Sequence, residues 1–154
     1  MLFGNEHDFS TAFINIDLDA VGNWAERRNL AYSGYIDLAG QQPVYDLIQD
    51  CINKVNLDLS QDSRLGNSQI RRFLILHKEL DADDGELTRT RKVRRSFVGD
   101  RYDILVDALY SERTECHIET EVTFEDGRTG LLAADVRICD AEVYPVKSLS
   151  RDAA

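Results

Sequence analysis

The residues best suited to chemistry lie in one short basic segment of the chain. Lys92 follows four positions at which threonine and arginine alternate, residues 88–91. Its ammonium is a compact charge on a flexible stem, which suits a carboxylate or phosphate ligand. The chain has a formal net charge of -10, yet six basic residues gather here: Arg89, Arg91, Lys92, Arg94, Arg95 and Arg101. This pattern predicts either an anion-binding loop or a solvated basic surface paired with the acidic run at 81–86.

Other groups of functional side chains have less suitable spacing. The acidic run at 81–86 lacks oxygen ligands at positions five and twelve of a calcium loop. Cys116 and His117 are adjacent, so on a strand they point to opposite faces and cannot easily share one zinc ion with Cys139. His77 ends an apolar run and is interpreted as structural rather than as a general base. We therefore predict no metal site, and no Gly-x-Ser-x-Gly sequence marks a nucleophile.

Composition limits the remaining classes of function. A chain of 154 residues is enough for about one domain with a modest core. Its 28 acidic residues against 18 basic ones argue against a nucleic-acid binder. The three cysteines have no Cys-x-x-Cys spacing and are expected to be reduced thiols. No basic leader precedes an apolar run, and no run approaches the roughly 20 residues of a membrane span. We expect a cytoplasmic protein without a transmembrane segment.

Hydrophobic periodicity and turn residues predict the elements that must position the basic segment. In chain order they are a strand at 11–16, a helix at 20–29, loops or short turns at 30–42, a helix from Pro43 to Leu59, a loop at 60–69, a strand at 70–77, an acidic turn at 81–86, a helix at 94–110 and a hairpin at 118–138. Asp19 is the expected cap of the first helix, and Asp126-Gly127 the two-residue turn of the hairpin.

This order predicts an α+β fold, in which helices pack on a small sheet and a C-terminal β-hairpin is added. We assign residues 1–110 to the main unit and residues 111–140 to a hairpin extension of the same domain. Residues 141–154 are expected to form a flexible tail. A fold class does not by itself give a function, so the function must come from the basic segment.

The segment from Glu86 to Arg95 resembles the last signature motif of AMP-forming acyl-CoA synthetases. In the long-chain branch of that family the motif reads roughly Glu-Leu-Thr-Pro-Thr-x-Lys-apolar-Lys/Arg-Arg. The residues that match it are Glu86, Leu87, Thr88, Thr90, Lys92, Val93, Arg94 and Arg95. The chain departs from the motif at Arg89, where proline is usual, and at Arg91, where other branches have glycine. The likeness extends over roughly residues 10–110 and implies the mobile, lysine-bearing C-terminal domain of a long-chain fatty acid-CoA ligase.

The resemblance implies part of an acid-thiol ligase of fatty acid metabolism. In that family a fatty acid and Mg-ATP form an acyl-adenylate, which coenzyme A converts to acyl-CoA with release of AMP. Lys92 would be the catalytic lysine for adenylate formation. The resemblance also implies three residues that shape the loop or contact substrate: Glu86, Thr88 and Thr90. It implies docking to a large N-terminal adenylation domain through Arg91, Arg94 and Arg95.

The phosphate loop and the adenine- and magnesium-binding segments of that family are absent from this sequence. ATP, Mg and coenzyme A would therefore be bound by the full enzyme, and this chain would begin inside the small domain. We expect the isolated chain to bind no cofactor and to form no acyl-adenylate. The alternative is a stand-alone protein-interaction or anion-binding module derived from that domain, with the hairpin as an edge for a partner.

Overall fold

A mixed, five-stranded β-sheet forms the centre of the computed structural model, which describes residues 1–148. The strands are β1 (Leu2–Phe3), β2 (Ser10–Ile14), β3 (Ile70–Ile75), β4 (Glu115–Thr123) and β5 (Thr129–Asp140). Their order across the sheet is β1-β2-β3-β5-β4. The central pair β2 and β3 is parallel, whereas the other neighbouring pairs are antiparallel. The connection between β2 and β3 therefore crosses over the sheet and carries helices.

Helices cover both faces of this sheet and confirm the predicted α+β class. They are α1 (Leu18–Glu26), α2 (Tyr35–Gly40), α3 (Gln42–Ser60), α4 (Arg95–Arg101) and α5 (Asp103–Leu109), with a 3₁₀ turn at Gly66–Ser68. Side chains alternate along β2 and β3, so Phe13 and Leu74 enter one core with α4 and α5. Ala12 and Phe73 enter a second core with α1, α2 and α3. Burial on both faces explains the apolar residues 73–75 at the end of β3, which follow two arginines.

The first two helices differ from the prediction. The cap of α1 is Asp17, not Asp19, because the carboxylate of Asp17 accepts a hydrogen bond of 2.9 Å from the N–H of Ala20. Asp17 has the extended backbone that a cap requires, and Asp19 already lies in the first helical turn. The helix α2 was expected to be a loop or short turns. It forms because Leu38 and Ala39 are buried in the second core, and burial outweighs the glycines at its ends, Gly34 before it and Gly40 as its last residue.

The long helix predicted to begin at Pro43 is confirmed as α3, with the proline in its first turn. The prediction of one helix over 94–110 is wrong in one respect, because this segment forms two helices that meet at Tyr102. Tyr102 departs from helical geometry, with φ of -110° and ψ of 30°, and its side chain is completely buried. The chain therefore changes direction at Tyr102, whose aromatic side chain enters the core.

The C-terminal hairpin is confirmed, and its second strand is part of the central sheet. Strand β5 pairs with β4 along its length and continues beside β3, where Leu74 faces Ile138. The predicted two-residue turn is wrong. Phe124 and Arg128 still pair through a hydrogen bond of 2.8 Å, so the loop contains the three residues 125–127. Gly127 alone supplies the positive φ, at 81°, which is the geometry of a type I turn followed by a left-handed residue.

The tail predicted to be flexible from residue 141 is held by hydrogen bonds over its described part. The N–H of Ala141 donates to the carbonyl of Arg71, and that of Lys147 donates to the carbonyl of Ser60, each at 2.8 Å. The buried amide of Asn56 donates to the carbonyl of Glu142 at 2.8 Å. Paired backbone groups thus fix residues 141–147 against α3 and β3. Residues 149–154 of the predicted tail lie outside the described residues.

Candidate functional site

The segment from Leu87 to Val93 folds into a tight turn, here called the lysine turn. Its two ends form an antiparallel bridge. The N–H of Thr88 donates to the carbonyl of Lys92 at 2.9 Å, and the N–H of Arg91 donates to that of Thr88 at 2.8 Å. Arg91 has a φ of 60°, a left-handed conformation that glycine adopts most easily. Arg91 thus adopts a backbone geometry that a glycine would also satisfy.

The two threonine hydroxyls are hydrogen-bonded within the turn, whereas the side chain of Lys92 points to the surface. The hydroxyl oxygen of Thr88 accepts a hydrogen bond of 3.1 Å from the N–H of Lys92 and lies 3.1 Å from the hydroxyl of Thr90. The side chain of Lys92 is exposed and forms no ion pair with any residue in 1–148. Its ammonium is therefore available to an anion from outside this part of the chain.

Directly before the turn, Glu86 points into the protein and is 0% exposed. Its carboxylate accepts a hydrogen bond of 2.6 Å from the ammonium of Lys78 and one of 2.9 Å from the N–H of Asp81. The hydroxyl of Tyr102 donates to the same carboxylate, and the guanidinium of Arg101 lies 3.5 Å from it. All of these contacts are internal, so in this conformation Glu86 is not exposed to a substrate.

A second carboxylate, that of Asp84, extends this buried network toward the hairpin. It lies 3.0 Å from the ammonium of Lys78 and accepts a hydrogen bond of 2.8 Å from the N–H of Thr123 on β4. Burial acts to raise the pKa of Asp84, but these donors outweigh burial and hold the pKa below its usual value. For Tyr102, burial and then the adjacent Glu86 raise the pKa, so the phenol keeps its proton and donates it to that carboxylate.

The three arginines expected to dock to another domain are exposed; Arg91 lies in the turn, and Arg94 and Arg95 follow it. Arg94 donates to the carbonyl of Gly85 at 2.8 Å and lies over the ring of Phe97 at 4.9 Å. Arg95 begins α4. Arg91 lines an open recess of about 390 Å³ beside the turn, together with apolar residues that include Leu80, Leu87, Val93 and Val98. The turn therefore presents cationic groups next to a recess of mixed polar and apolar lining, in which Asn15 and Glu79 also lie.

The residues considered for other chemistry do not assemble into a site. His77 is buried, and its Nε2 lies 3.0 Å from the hydroxyl of Thr120. His117 is exposed on β4 and faces Asp135 at 2.6 Å, whereas Cys116 is buried on the other face. Within residues 1–148, no group of three or more His, Cys, Asp or Glu side chains is arranged to hold a metal ion.

Sequence reasoning grouped Arg101 with the basic segment, but it missed Lys78, Arg101 and Tyr102 as partners of Glu86. Lys78 follows an apolar strand and resembles an ordinary surface lysine in sequence. Tyr102 fits the apolar stripe predicted for the helix at 94–110. A buried carboxylate requires a cation or several donors, but nothing in the sequence marks Glu86 as buried, so no signal in the sequence indicated these partners.

Comparisons with known proteins identify one class of similar enzyme. The long-chain-fatty-acid–CoA ligase FadD15 of Mycobacterium tuberculosis is 29% identical over 113 residues, which cover 73% of this chain and 18% of the ligase. The long-chain-fatty-acid–CoA ligase ACSBG2 of Mus musculus is 36% identical over 69 residues, 45% of this chain and 10% of the ligase. The ACSBG2 of Rattus norvegicus is 26% identical over 127 residues, 72% of this chain and 18% of the ligase.

These similarities support a domain related to acyl-CoA ligases. The chain spans less than a fifth of the length of the curated relatives it matches. A match of 113 residues in a chain of 154 must include the lysine turn wherever the match begins. No family model matches the chain, and no solved structure matches it. In residues 1–148, none of the helices combines the length and the apolar character that crossing a membrane requires.

Proposed function

We propose that this chain is the C-terminal domain of an AMP-forming long-chain fatty acid-CoA ligase and that Lys92 is its catalytic lysine. The observation that carries the proposal is an exposed ammonium on a tight turn, which forms no ion pair within residues 1–148 and lies in a segment within the similarity to such ligases. The overall reaction joins a fatty acid, ATP and coenzyme A to give acyl-CoA, AMP and pyrophosphate.

The chemistry of the first half-reaction explains why a lysine is needed. A carboxylate oxygen of the fatty acid attacks the α-phosphorus of ATP, and the bond to pyrophosphate breaks. Two anions must approach each other, and negative charge spreads over the transferring group. An ammonium placed between them in a site with little water stabilises the transition state by a few kcal/mol, on the order of one oxyanion-hole donor. Lys92 supplies this charge once the lysine turn enters the active site of the large domain.

The remaining residues of the turn have supporting roles in this proposal. Thr88 and Thr90 hold the shape of the turn through their hydroxyl contacts. Arg91, Arg94 and Arg95 meet acidic groups of the N-terminal adenylation domain, which is the principal partner. That domain binds most of the fatty acid, Mg-ATP and coenzyme A, so the isolated chain should show no ATP–pyrophosphate exchange. Exchange catalysed by the purified chain would contradict this division of roles.

The decisive experiment is Lys92→Ala in the ligase that contains this chain. We expect ATP–pyrophosphate exchange to fall about 10²–10³-fold, because one positioned charge is lost from the transition state. Thioester formation from supplied acyl-adenylate and coenzyme A should change little. Arg89→Ala is the matched control, because Arg89 is an exposed cation of the same turn for which no role is proposed. Equal losses in the two half-reactions would contradict the role of Lys92, and a gene with no neighbouring adenylation domain would favour the stand-alone module.

A further inference from the structure

We propose that Lys78 and Arg101 are positioning residues for Lys92 and that they act through the buried carboxylate of Glu86. The inference rests on the proposed function for its effect on catalysis. Its effect on the conformation of the lysine turn does not depend on that function and can be measured in the chain itself.

The backbone around Glu86 holds both ends of the turn. The carbonyl of Glu86 accepts a hydrogen bond of 2.9 Å from the N–H of Arg94, directly after the turn. The N–H of Glu86 donates to the carbonyl of Asp81 at 3.0 Å, and Leu87 bridges to Val93. Both ends of the turn are therefore attached to the rest of the protein at Glu86. A shift of Glu86 moves both ends and changes where the ammonium of Lys92 lies.

The side chain of Glu86 is held by directional contacts from separate parts of the fold. Lys78 follows β3, Arg101 ends α4, and Tyr102 lies between α4 and α5. Their groups converge on one carboxylate that has no exposed surface. The contacts from Lys78 and Tyr102 are hydrogen bonds, which require a defined geometry, and Arg101 adds an ion pair at 3.5 Å. The network thus gives the base of the turn one orientation relative to the sheet and to α4.

The same network reaches the C-terminal hairpin, for which the lysine motif offers no role. Arg101 donates to the carbonyl of Asp84 at 2.9 Å and to the carbonyl of Glu121 on β4. The Asp84 carboxylate accepts from Thr123 on the same strand and also contacts Lys78. The far end of β4 is therefore linked to the base of the lysine turn through two charged side chains. On this inference the hairpin, whose strand β4 lies at the edge of the sheet, stabilises the conformation of the lysine turn.

The conformational test uses trypsin under native conditions, because the turn contains cleavable Arg89, Arg91 and Lys92. Cleavage in the turn is compared with cleavage at Lys54, which lies in α3 and reports unfolding of the whole chain. In Lys78→Met and Arg101→Met, we expect the turn-to-helix cleavage ratio to rise about 10-fold, because the turn opens locally. An equal rise at both places would show general destabilisation only and would overturn the inference.

Two further variants keep this test informative. Arg101 is partly exposed, with 19% of its side chain accessible, so Arg101→Met tests the network even if Lys78→Met fails to fold. Lys78→Arg restores a cation and should return the cleavage ratio toward that of the native chain. Arg64→Met removes an exposed cation on the loop after α3 and should leave the ratio unchanged.

The catalytic test uses the ligase that contains this chain. Arg101→Met should lower kcat for adenylate formation about 10-fold with little change in KM for ATP, because the ammonium is misplaced in the transition state. Arg64→Met should keep the native kcat. If Lys92→Ala leaves adenylate formation intact, the proposed function fails and the trypsin result still decides the conformational claim. If Lys92→Ala abolishes it while Arg101→Met alters neither kcat nor the cleavage ratio, the positioning inference is overturned.

Discussion

Lys78 and Lys92 carry the same side chain and are placed in opposite environments. Lys78 is 8% exposed and contacts the carboxylates of Asp84 and Glu86. Lys92 lies on the surface and contacts no carboxylate within residues 1–148. A buried lysine needs its partners to offset the loss of water, whereas an exposed one keeps its charge available. The two residues are of the same type, and only their surroundings make Lys78 a structural cation and Lys92 a candidate catalytic one.

His77 should make the stability of the chain fall in mild acid. Burial, followed by the charge of Lys78, lowers the pKa of His77 from 6.5 to about 4. The unfolded chain therefore binds the proton at a higher pH than the folded chain. This contribution to stability is complete above about pH 6.5 and is lost as the pH falls toward about 4. Between pH 7 and pH 5 the loss should be about 2 kcal/mol.

The measurement for His77 is the free energy of unfolding in urea at these two pH values. His77→Gln removes the titrating group, so the variant should lose about 2 kcal/mol less than the native chain over the same interval. Carboxylates titrate in both proteins, so their contribution to the pH dependence cancels when the two proteins are compared. Equal pH dependence in the two proteins would mean that His77 is not kept neutral by the fold.

Among the elements, local sequence decides where a helix can begin, and packing decides which of the possible starts is used. Asp17 and Asp19 are both acceptable caps by type. Starting α1 at Leu18 places Leu18 and Ala25 against the second core. The break at Tyr102 follows the same logic, because one continuous helix would not place that phenol on Glu86 while α5 packs on β4.

Replacement of the two aspartates tests which one caps α1. Asp17→Ala should lower the free energy of unfolding by about 1 kcal/mol, because the N–H of Ala20 loses its acceptor. Asp19→Ala should cost only about 0.3–0.5 kcal/mol, since Asp19 contributes a favourable charge near the helix N-terminus. Urea unfolding of both variants measures the difference. A larger loss of unfolding free energy for Asp19→Ala than for Asp17→Ala would show that Asp19 caps the helix, as the sequence predicts.

Across the whole molecule, single polar side chains join elements that are far apart in sequence. Arg72 on β3 donates to the carbonyls of Ala108 and Leu109, at 3.1 Å each, and satisfies the end of α5. Asn56 on α3 donates to Ile70 and to Glu142 and accepts from the N–H of Ile70. These contacts tie the helices on both faces, and the segment after β5, to the same central strand.

Asn56→Ala should therefore destabilise the whole chain. The substitution removes three hydrogen bonds and leaves buried backbone groups of Ile70 without a partner. We expect a loss of about 3 kcal/mol in the free energy of unfolding, measured in urea. Asn67→Ala is the control, because Asn67 is exposed, and it should stay within about 0.5 kcal/mol of the native chain. Similar values for the two variants would show that Asn56 does not connect the elements energetically.

The sequence by itself determined the features that depend on neighbouring residues. The apolar run of β3, the stripe of α3 and the hairpin follow from periodicity and turn residues. The segment around Lys92 was recognisable because its residues are consecutive. The length of the hairpin loop was not predicted, although it is set locally by the pairing of Phe124 with Arg128 and the positive φ of Gly127. The division at Tyr102 was not predicted because it depends on contacts with distant residues.

Only the tertiary structure decided which charges are buried together. Lys78, Glu86 and Arg101 are separated along the chain, and nothing in their local patterns indicates that they meet. They converge because β3, α4 and the edge of β4 pack around one carboxylate, and burial makes that meeting necessary. Periodicity and motifs are local properties, whereas the pairing of buried charges is a property of the packed core.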